Sequence, residues 1–456
     1  MLLYLSLKDS HAAKQYKNFI VSTDSEPDDF VANIALIDKL NIKNEHAKIT
    51  FVVGEGNAAI KALNMKNMIA AMRQDGLLGE NIETSIIRGY DSSKVFEKSG
   101  LLFYQTQTDL NQALIAEGYD AKETPETRKK TCEEITKALQ QSDDSTVILL
   151  KPGREFLDIK EYDVYKNATL IVSGSFNVRA LFQKARDKEA IKEQLFMLFN
   201  AFRKVIYVEA YPATGKNNAY NNENAPDIFK QISPQTQWGS VFYRLQKAWD
   251  EHIRNQTANE IAVLAHDGAA AEIRSLFLQA HTPPLENQLL RLLESTNASE
   301  LNGIKRAIQL WKSISKYEQQ FIISDFLAVA VLFDENIGLQ VTPSWITFDN
   351  TSDYTVYGAD EKQTHGAHVH VVTPEGFSPK QTGHCLSPTL NQKAECAKFN
   401  EQQQSVFKKL SASLQETLSA SNSVETKYSV SVSFFGKTQP ENQESRSYTL
   451  AQPKKL

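Results

Sequence analysis

The chain has 456 residues, of which 41% are hydrophobic and 23% charged, a composition typical of globular proteins that bury a sizeable core. The formal net charge of −5 leaves no basic excess to neutralise phosphates, so we do not expect a nucleic-acid-binding protein. No apolar run approaches the length of a membrane-spanning helix, and the N-terminal residues lack the basic leading region of a signal peptide. Three cysteines predict no disulfide framework and favour a reducing compartment, so we expect a cytoplasmic protein.

Short apolar runs alternate with helical patterns from the start of the chain. Strands are predicted at 18–22, 48–53, 85–88, 146–150 and 168–173, and helices at 28–39 and 58–73. This alternation predicts the α/β class, with an open, mostly parallel sheet flanked by helices. Helical patterns also cover 179–207 and most of 241–330, whereas 343–373 has strand character. Beyond 374 the chain becomes polar, with an amphipathic helix predicted at 401–420 and a strand at 426–436.

An acidic turn follows the first predicted strand. Asp24, Asp28 and Asp29 lie where the strand ends and the helix begins, at the edge of the sheet where ligands of α/β proteins bind. Crowded carboxylates repel one another unless a cation or a shared proton relieves them, and Ca²⁺ suits several carboxylates. The alternative is a helix N-terminus that attracts acidic residues without a metal ion.

A second acidic position lies far downstream. Asp325 stands at the start of an otherwise apolar helical pattern, in the sequence FIISDFLAVAVLFDEN. As a helix cap, a carboxylate there would contribute roughly 1 kcal/mol. As a metal ligand, it would complete the oxygen cage begun by Asp24 and Asp29.

Five segments in order resemble motifs of the inosine–uridine-preferring nucleoside hydrolase family. They are STDSEPDD at 22–29, FVVGEGN at 51–57 followed by KNM at 66–68, LIVSGSFN at 170–177, AYNNENAPD at 219–227 and SDFLAVA at 324–330. The resemblance covers about 18–373 and implies a nucleoside hydrolase-like α/β domain. Outside it fall an N-terminal extension (1–17), a helical insertion at about 179–216 and a polar C-terminal extension (374–456).

The resemblance implies a calcium site and a general base. Asp24, Asp29 and Asp325 would be side-chain ligands of Ca²⁺, and a main-chain carbonyl near Lys151 would be another. Asp24 would also remove the proton of the attacking water. The implied reaction hydrolyses the N-glycosidic bond of a ribonucleoside or related ribosyl compound, giving free base and ribose.

Three further residues match family positions that bind the ribose: Asp28, Asn57 and Asn221. Asn57 follows a glycine and could equally be an ordinary turn residue. Asn221 lies among four asparagines, so its alignment could shift by a few positions. The expected partner is a small nucleoside or ribosyl substrate, with neither nucleic acid nor membrane, and a homo-oligomer is compatible with the sequence.

Four positions depart from the family pattern: Ser22, Ser324, Ala219 and Leu181. Ser324 replaces the histidine that often protonates the leaving base, and Ala219 replaces a ribose-binding glutamate. Substitutes for these groups could be Glu26, Glu209 and Tyr211. The departures favour an alternative, a non-catalytic nucleoside-binding, ribose-binding or protein-interaction protein on the same fold. A larger substrate, such as a nucleotide or dinucleotide, is a weaker alternative.

Two histidine patterns offer other sites. His368 and His370, with His365 nearby, could form a zinc pair on one face of a strand, although a solvated strand face is favoured. His266 and Asp267 rival the Ser324–Asp325 match but lack the apolar helix that should follow.

Overall fold

The fold consists of strands and helices that alternate along most of the described chain. The structure, a computed structural model, describes residues 16–25, 27–74, 76–92, 107–119, 122–173, 177–178, 180–182, 187–208, 324–333, 337–348, 354–358, 366–386 and 396–419. The strands are β1 (Lys17–Thr23), β2 (Ala47–Val53), β3 (Ile82–Arg88), β4 (Ser145–Leu149), β5 (Thr169–Ser173), β6 (Lys204–Val208), β7 (Leu339–Phe348), β8 (Tyr354–Gly358) and β9 (Ala367–Pro374). The helices are α1 (Pro27–Ile42), α2 (Ala58–Gln74), α3 (Gln107–Ala116), α4 (Pro125–Leu139), α5 (Arg154–Leu157), α6 (Lys188–Ala201), α7 (Ser324–Phe333), α8 (Pro379–Leu386) and α9 (Ala397–Ser419).

The nine described strands form one sheet in the order β3-β2-β1-β4-β5-β6-β9-β7-β8. From β3 to β9 all neighbouring strands are parallel, whereas β7 runs antiparallel to both β9 and β8. The structure therefore confirms the predicted open, mostly parallel α/β sheet. Strands β2 and β3 lie on one side of β1, and the next strand along the chain, β4, lies on the other side. The strand order thus reverses between β1 and β4, which is where a crevice opens in such sheets.

Apolar side chains fill both faces of the central strands, as expected for parallel strands that helices cover on both sides. Val21 of β1 packs in a layer with α1, α2, α7 and α9. Ile20, its neighbour in the chain, faces the opposite layer, which contains α4, α5 and α6. The regular alternation along β1 fixes which face of the sheet each later residue at the strand end occupies.

The segment 179–207 is helical only in part. The prediction of a helix is confirmed by α6, which ends where Phe202 takes an extended backbone with φ −77° and ψ 145°. It is wrong for Lys204–Val208, which form β6 between β5 and β9. Val205 and Ile206 are β-branched and favour a strand, but a run this short carries too little periodicity to separate strand from helix.

The C-terminal region contributes to the core. The amphipathic helix predicted at 401–420 is confirmed by α9, and Val406 and Leu410 of this helix pack in the same apolar layer as α1. Strands predicted within 343–373 are confirmed by β7, β8 and β9. The strand predicted at 426–436 and the helices predicted between 241 and 323 lie outside the described residues. The domain limits at 17/18 and 373/374 stay a prediction.

Two further expectations concern cysteines and membranes. Cys396 is disulfide-bonded and Cys132 is a free thiol, so the chain contains a disulfide bridge, although three cysteines predict no disulfide framework. Even a small odd number of cysteines leaves enough for one bridge, and spacing alone does not exclude it. Within the described part of the chain, no helix has both the length and the apolar character that crossing a membrane requires.

Candidate functional site

Two of the predicted site residues, Asp24 and Lys151, lie at the carboxyl end of the sheet, where the strand order reverses. Asp24 directly follows β1, and Lys151 follows the end of the neighbouring strand β4. The Leu150 amide donates a hydrogen bond of 2.8 Å to the Ser22 carbonyl, which keeps the two strand ends level. The structure thus brings these segments to the crevice where α/β proteins bind ligands.

Asp29 is held inside the turn between β1 and α1. It is 1% exposed, and its Oδ1 atom accepts hydrogen bonds from the Thr23 hydroxyl at 2.5 Å and from the Asp24 amide at 3.1 Å. Ser25 adopts a left-handed conformation with φ 58°, and its amide donates to the Thr23 hydroxyl oxygen at 3.2 Å. Asn33 also donates to this oxygen, at 3.4 Å. The turn therefore fixes a buried carboxylate in the first turn of α1, where the helix dipole favours negative charge.

Asp325 occupies an equivalent position at the start of α7. It is 4% exposed, and its Oδ1 atom accepts a hydrogen bond of 2.8 Å from the hydroxyl of Ser173, the last residue of β5. Each buried acid is thus paired with a hydroxyl at the end of a strand. The sequence indicated Asp29 and Asp325 but gave no signal for Thr23 or Ser173, since hydroxyl residues at strand ends are common.

The register of the sheet places the two hydroxyl residues, Thr23 and Ser173, at one level. Ser22 aligns with Leu149, which aligns with Val172, so Thr23 and Ser173 flank Leu150 on the same face. With one strand between them, their Cα atoms lie roughly 10 Å apart, because neighbouring strands are about 4.8 Å apart. Helices α1 and α7, which carry the acids, pack against each other on this face. Two buried carboxylates therefore share one side of the crevice.

The donor chemistry of this crevice suits a hard cation, but the described side chains do not yet form a metal cage. Carboxylates and main-chain carbonyls are the oxygen ligands that Ca²⁺ prefers. Among the described residues, however, no group of three or more His, Cys, Asp or Glu side chains is close enough to hold a metal ion. The convergence of Asp24, Asp29 and Asp325 on one ion stays a prediction.

Lys151 has a side chain with a separate role. Its Nζ atom lies 2.6 Å and 2.7 Å from the two carboxylate oxygens of Glu155, and both side chains are buried. The carbonyl of the preceding residue, Leu150, accepts a hydrogen bond of 2.9 Å from Asn177, which also donates to the Ser173 carbonyl at 2.7 Å. Asn177 therefore ties the ends of β4 and β5 together. The sequence analysis indicated Asn177 only as the last residue of the segment LIVSGSFN at 170–177.

Asn57 caps α2. Its Oδ1 atom accepts a hydrogen bond of 3.1 Å from the Ile60 amide, as the first-turn cap of a helix does. This contact supports the alternative interpretation of Asn57 as an ordinary structural residue. The loop nevertheless lies beside β1, because the Gly54 amide donates to the Thr23 carbonyl at 3.0 Å. Contact of Asn57 with ribose stays a prediction.

The remaining predicted positions are described in part. Asp28 lies in the first turn of α1, although its side chain is not among those described. Ser22 is fully buried, and in the described part of the chain its hydroxyl has no hydrogen-bond partner. Leu181 packs in the apolar layer with α6. Several positions lie outside the described residues: Asn221, Ala219, Glu26, Glu209, Tyr211, His266, Asp267 and His365.

The histidine pair on β9 shows little sign of a metal site. The rings of His368 and His370 lie 5.4 Å apart, and His368 is exposed and contacts the Trp345 ring at 5.6 Å. Burial, followed by the charges of Lys204 and His368, lowers the pKa of His370. Across the described ranges no third ligand joins them, so a metal role has no support from this geometry.

Comparison with known proteins adds likeness of fold alone. No protein-family profile and no curated protein sequence matches the chain. Among solved structures, a plant nucleoside hydrolase shares 11% identity with a TM-score of 0.44, covering 89% of this chain and 99% of its own. An inosine-guanosine nucleoside hydrolase has 11% identity and a TM-score of 0.40, covering 86% of this chain and 99% of its own. The type III effector protein XopQ, complexed with adenosine diphosphate ribose, has 11% identity and a TM-score of 0.37, covering 89% of this chain and 95% of its own. Likenesses this weak establish neither the family nor an activity.

Proposed function

We propose that this protein hydrolyses the N-glycosidic bond of a ribonucleoside or related ribosyl compound in a Ca²⁺-dependent reaction. The observation that carries the proposal is the placement of Asp29 and Asp325. Both are buried acids in the first turns of two helices that pack together, and the hydroxyl residues that bond them, Thr23 and Ser173, lie level with Leu150 after β4. Burying a carboxylate is costly unless it is hydrogen-bonded or paired with a cation, and a bound Ca²⁺ would supply such a cation for both acids.

In this proposal the calcium ligands are Asp24, Asp29, Asp325 and a main-chain carbonyl near Lys151. A bound Ca²⁺ would engage sugar hydroxyls and make a nearby water more acidic. Asp24 is the residue suited to accept the proton of that water, because it is partly exposed at the crevice while Asp29 is buried in the turn.

Ribose recognition is assigned in this proposal to Asp28, Asn57 and Asn221, whose amide and carboxylate groups match the sugar hydroxyls in hydrogen-bonding chemistry. The negative charge of the neighbouring carboxylates would also favour the positively charged, oxocarbenium-like sugar that forms as the bond breaks. The protonation of the leaving base has no assigned residue, since Ser324 provides no imidazole.

Binding of a ribosyl compound without hydrolysis is the second candidate. It is favoured by the hydrogen bonds that already engage Oδ1 of Asp29 and of Asp325, and by the lack of a three-acid group in the described part of the chain. In this case the crevice would bind the ribose of a ligand but would not hydrolyse its N-glycosidic bond.

A nucleoside panel tests the two candidates. The purified protein is incubated with each nucleoside in Ca²⁺ or in excess chelator, and free base and ribose are measured by chromatography. Hydrolysis predicts product that requires Ca²⁺ and falls at least about a hundredfold in Asp24→Asn, which removes the general base. Asp38→Asn, which changes a buried acid at the far end of α1, is the matched control. Calorimetric binding of nucleoside without product would support the second candidate, and neither binding nor product would exclude both.

A further inference from the structure

An ion pair is completely buried next to the crevice. The side chains of Lys151 and Glu155 are 1% and 0% exposed, and their charged atoms lie 2.6 Å apart. Removing two charges from water is costly, and a well-packed apolar pair is often at least as stable. Neither charge is used by the proposed reaction, which takes only a main-chain carbonyl from this segment. The pair therefore calls for another explanation.

Glu155 connects the ends of three strands. Its Oε1 atom accepts a hydrogen bond of 2.6 Å from Lys151 Nζ, in the segment after β4, and another of 2.8 Å from the Tyr90 amide, after β3. Gly54, after β2, passes so close that a Cβ atom there would lie 2.8 Å from Glu155 Oε1 and 2.9 Å from Lys151 Nζ. A Cβ atom on Gly89 would clash with the same carboxylate oxygen. Both glycines are needed because the backbone wraps closely around the ion pair.

The same contacts fix the loop from Gly54 to Asn57. Glu55 adopts a left-handed conformation with φ 60°, and its amide donates to the Tyr90 carbonyl at 2.8 Å. Its carboxylate accepts a hydrogen bond of 2.7 Å from Arg154, the residue before Glu155. The Tyr90 amide therefore donates to the Glu155 carboxylate, and the Tyr90 carbonyl accepts a hydrogen bond from the Glu55 amide. The loop begins at Gly54, whose amide donates to the carbonyl of Thr23, the residue before Asp24, and it ends at Asn57.

We propose that Lys151 and Glu155 are positioning residues, which set the loop 54–57 against the acidic turn so that Asn57 can face a ribosyl ligand. The ligand in this statement rests on the proposed function, whereas the positioning itself does not. A rigid supporting contact beneath a binding loop limits the loss of ligand affinity that loop motion causes. Glu155 acts through its acceptor oxygen, and Lys151 neutralises the charge that this acceptor brings into the interior.

Two double variants separate positioning from stability. In K151M/E155Q both charges are removed with little change in volume, and the glutamine oxygen can still accept a hydrogen bond from the Tyr90 amide. In K151M/E155M the charges are removed in the same way, but the acceptor is also lost. Single variants would leave a buried charge without its partner and could fail to fold. The variant K17M/E45M removes an ion pair from the opposite, amino end of the sheet and serves as the control.

Hydrogen–deuterium exchange without ligand is the deciding measurement. We expect the amides of Glu55, Gly56 and Tyr90 to exchange at least about fivefold faster in K151M/E155M than in K151M/E155Q, as loss of one hydrogen bond predicts. Amides of β4 should remain equally protected in both. Equal exchange of the loop amides in the two variants would overturn the proposal.

Calorimetry with ribose provides the link to function. If wild-type protein binds ribose, the affinity for ribose should be about fivefold or more lower in K151M/E155M than in K151M/E155Q, because the loop 54–57 has lost a hydrogen bond that supports it. Equal affinity in the two variants would overturn the link between the loop and the ligand. If wild-type protein neither binds ribose nor hydrolyses nucleosides, the proposed function fails, and the exchange experiment still decides whether the ion pair positions the loop.

Discussion

Replacing Asp29 separates its structural contacts from its charge. Its Oδ1 atom accepts two hydrogen bonds, from the Thr23 hydroxyl and the Asp24 amide. Hydrogen bonds to a charged group contribute about 1.5–3 kcal/mol each, so Asp29→Ala should lower the free energy of unfolding by about 3–6 kcal/mol. Asp29→Asn keeps an oxygen for both donors. Because neutral hydrogen bonds contribute about 1 kcal/mol less each, this variant should lose about 2 kcal/mol.

The charge itself is tested by calcium affinity. Unfolding in urea gives the stability of each variant, and calorimetric titration with Ca²⁺ after chelator treatment gives its affinity for the ion. Asp29→Asn should bind Ca²⁺ at least about tenfold more weakly than wild type, since even second-shell changes cost that much. Asp38→Asn should bind as wild type does. Equal calcium affinity in Asp29→Asn and wild type would refute Asp29 as a ligand, and equal stability of the Ala and Asn variants would refute the hydrogen-bond argument.

Three other predictions concern Asp325, the C-terminal helix and the histidines. Ser173→Ala removes a hydrogen bond to the buried Asp325 carboxylate and should destabilise the fold by about 1.5–3 kcal/mol in urea unfolding. Leu410→Ala should cost about 2–5 kcal/mol because this side chain is buried against α1, whereas the exposed Lys408→Ala should cost less than about 0.5 kcal/mol. Burial and nearby positive charge lower the pKa of His370, so the unfolded chain binds more protons and stability falls as pH drops below about 6.5. In thermal unfolding between pH 7.5 and 5, His370→Gln should reduce this loss, and an unchanged pH dependence would contradict the assignment.

The positions of the two buried acids could be predicted from sequence because each breaks an apolar pattern. Asp29 lies in the acidic turn that follows an apolar strand and starts a helix, and Asp325 stands at the start of a helix that is otherwise apolar. Their hydroxyl partners could not be predicted in the same way. Ser173 lies 152 residues from Asp325, and the packing of α7 against β5 brings the two together.

The buried ion pair shows a second limit of sequence reasoning. Lys151 and Glu155 are four residues apart, a spacing that usually indicates an exposed pair on a helix surface. Their burial follows from Gly54 and Gly89, which approach from two other strands. Composition and local pattern carry no information about such an approach, because it depends on pairing between distant strands.

Helix α9 has a consequence for synthesis of the chain. Its Val406 and Leu410 pack in the apolar layer that covers α1, yet α1 leaves the ribosome before α9 does. At about 5–20 residues per second, α9 follows tens of seconds later. During that interval the helix that carries Asp29 lacks part of its cover, which exposes apolar surface to chaperones. A nascent chain stalled before 397 should therefore bind a hydrophobic dye more strongly than one stalled after 419.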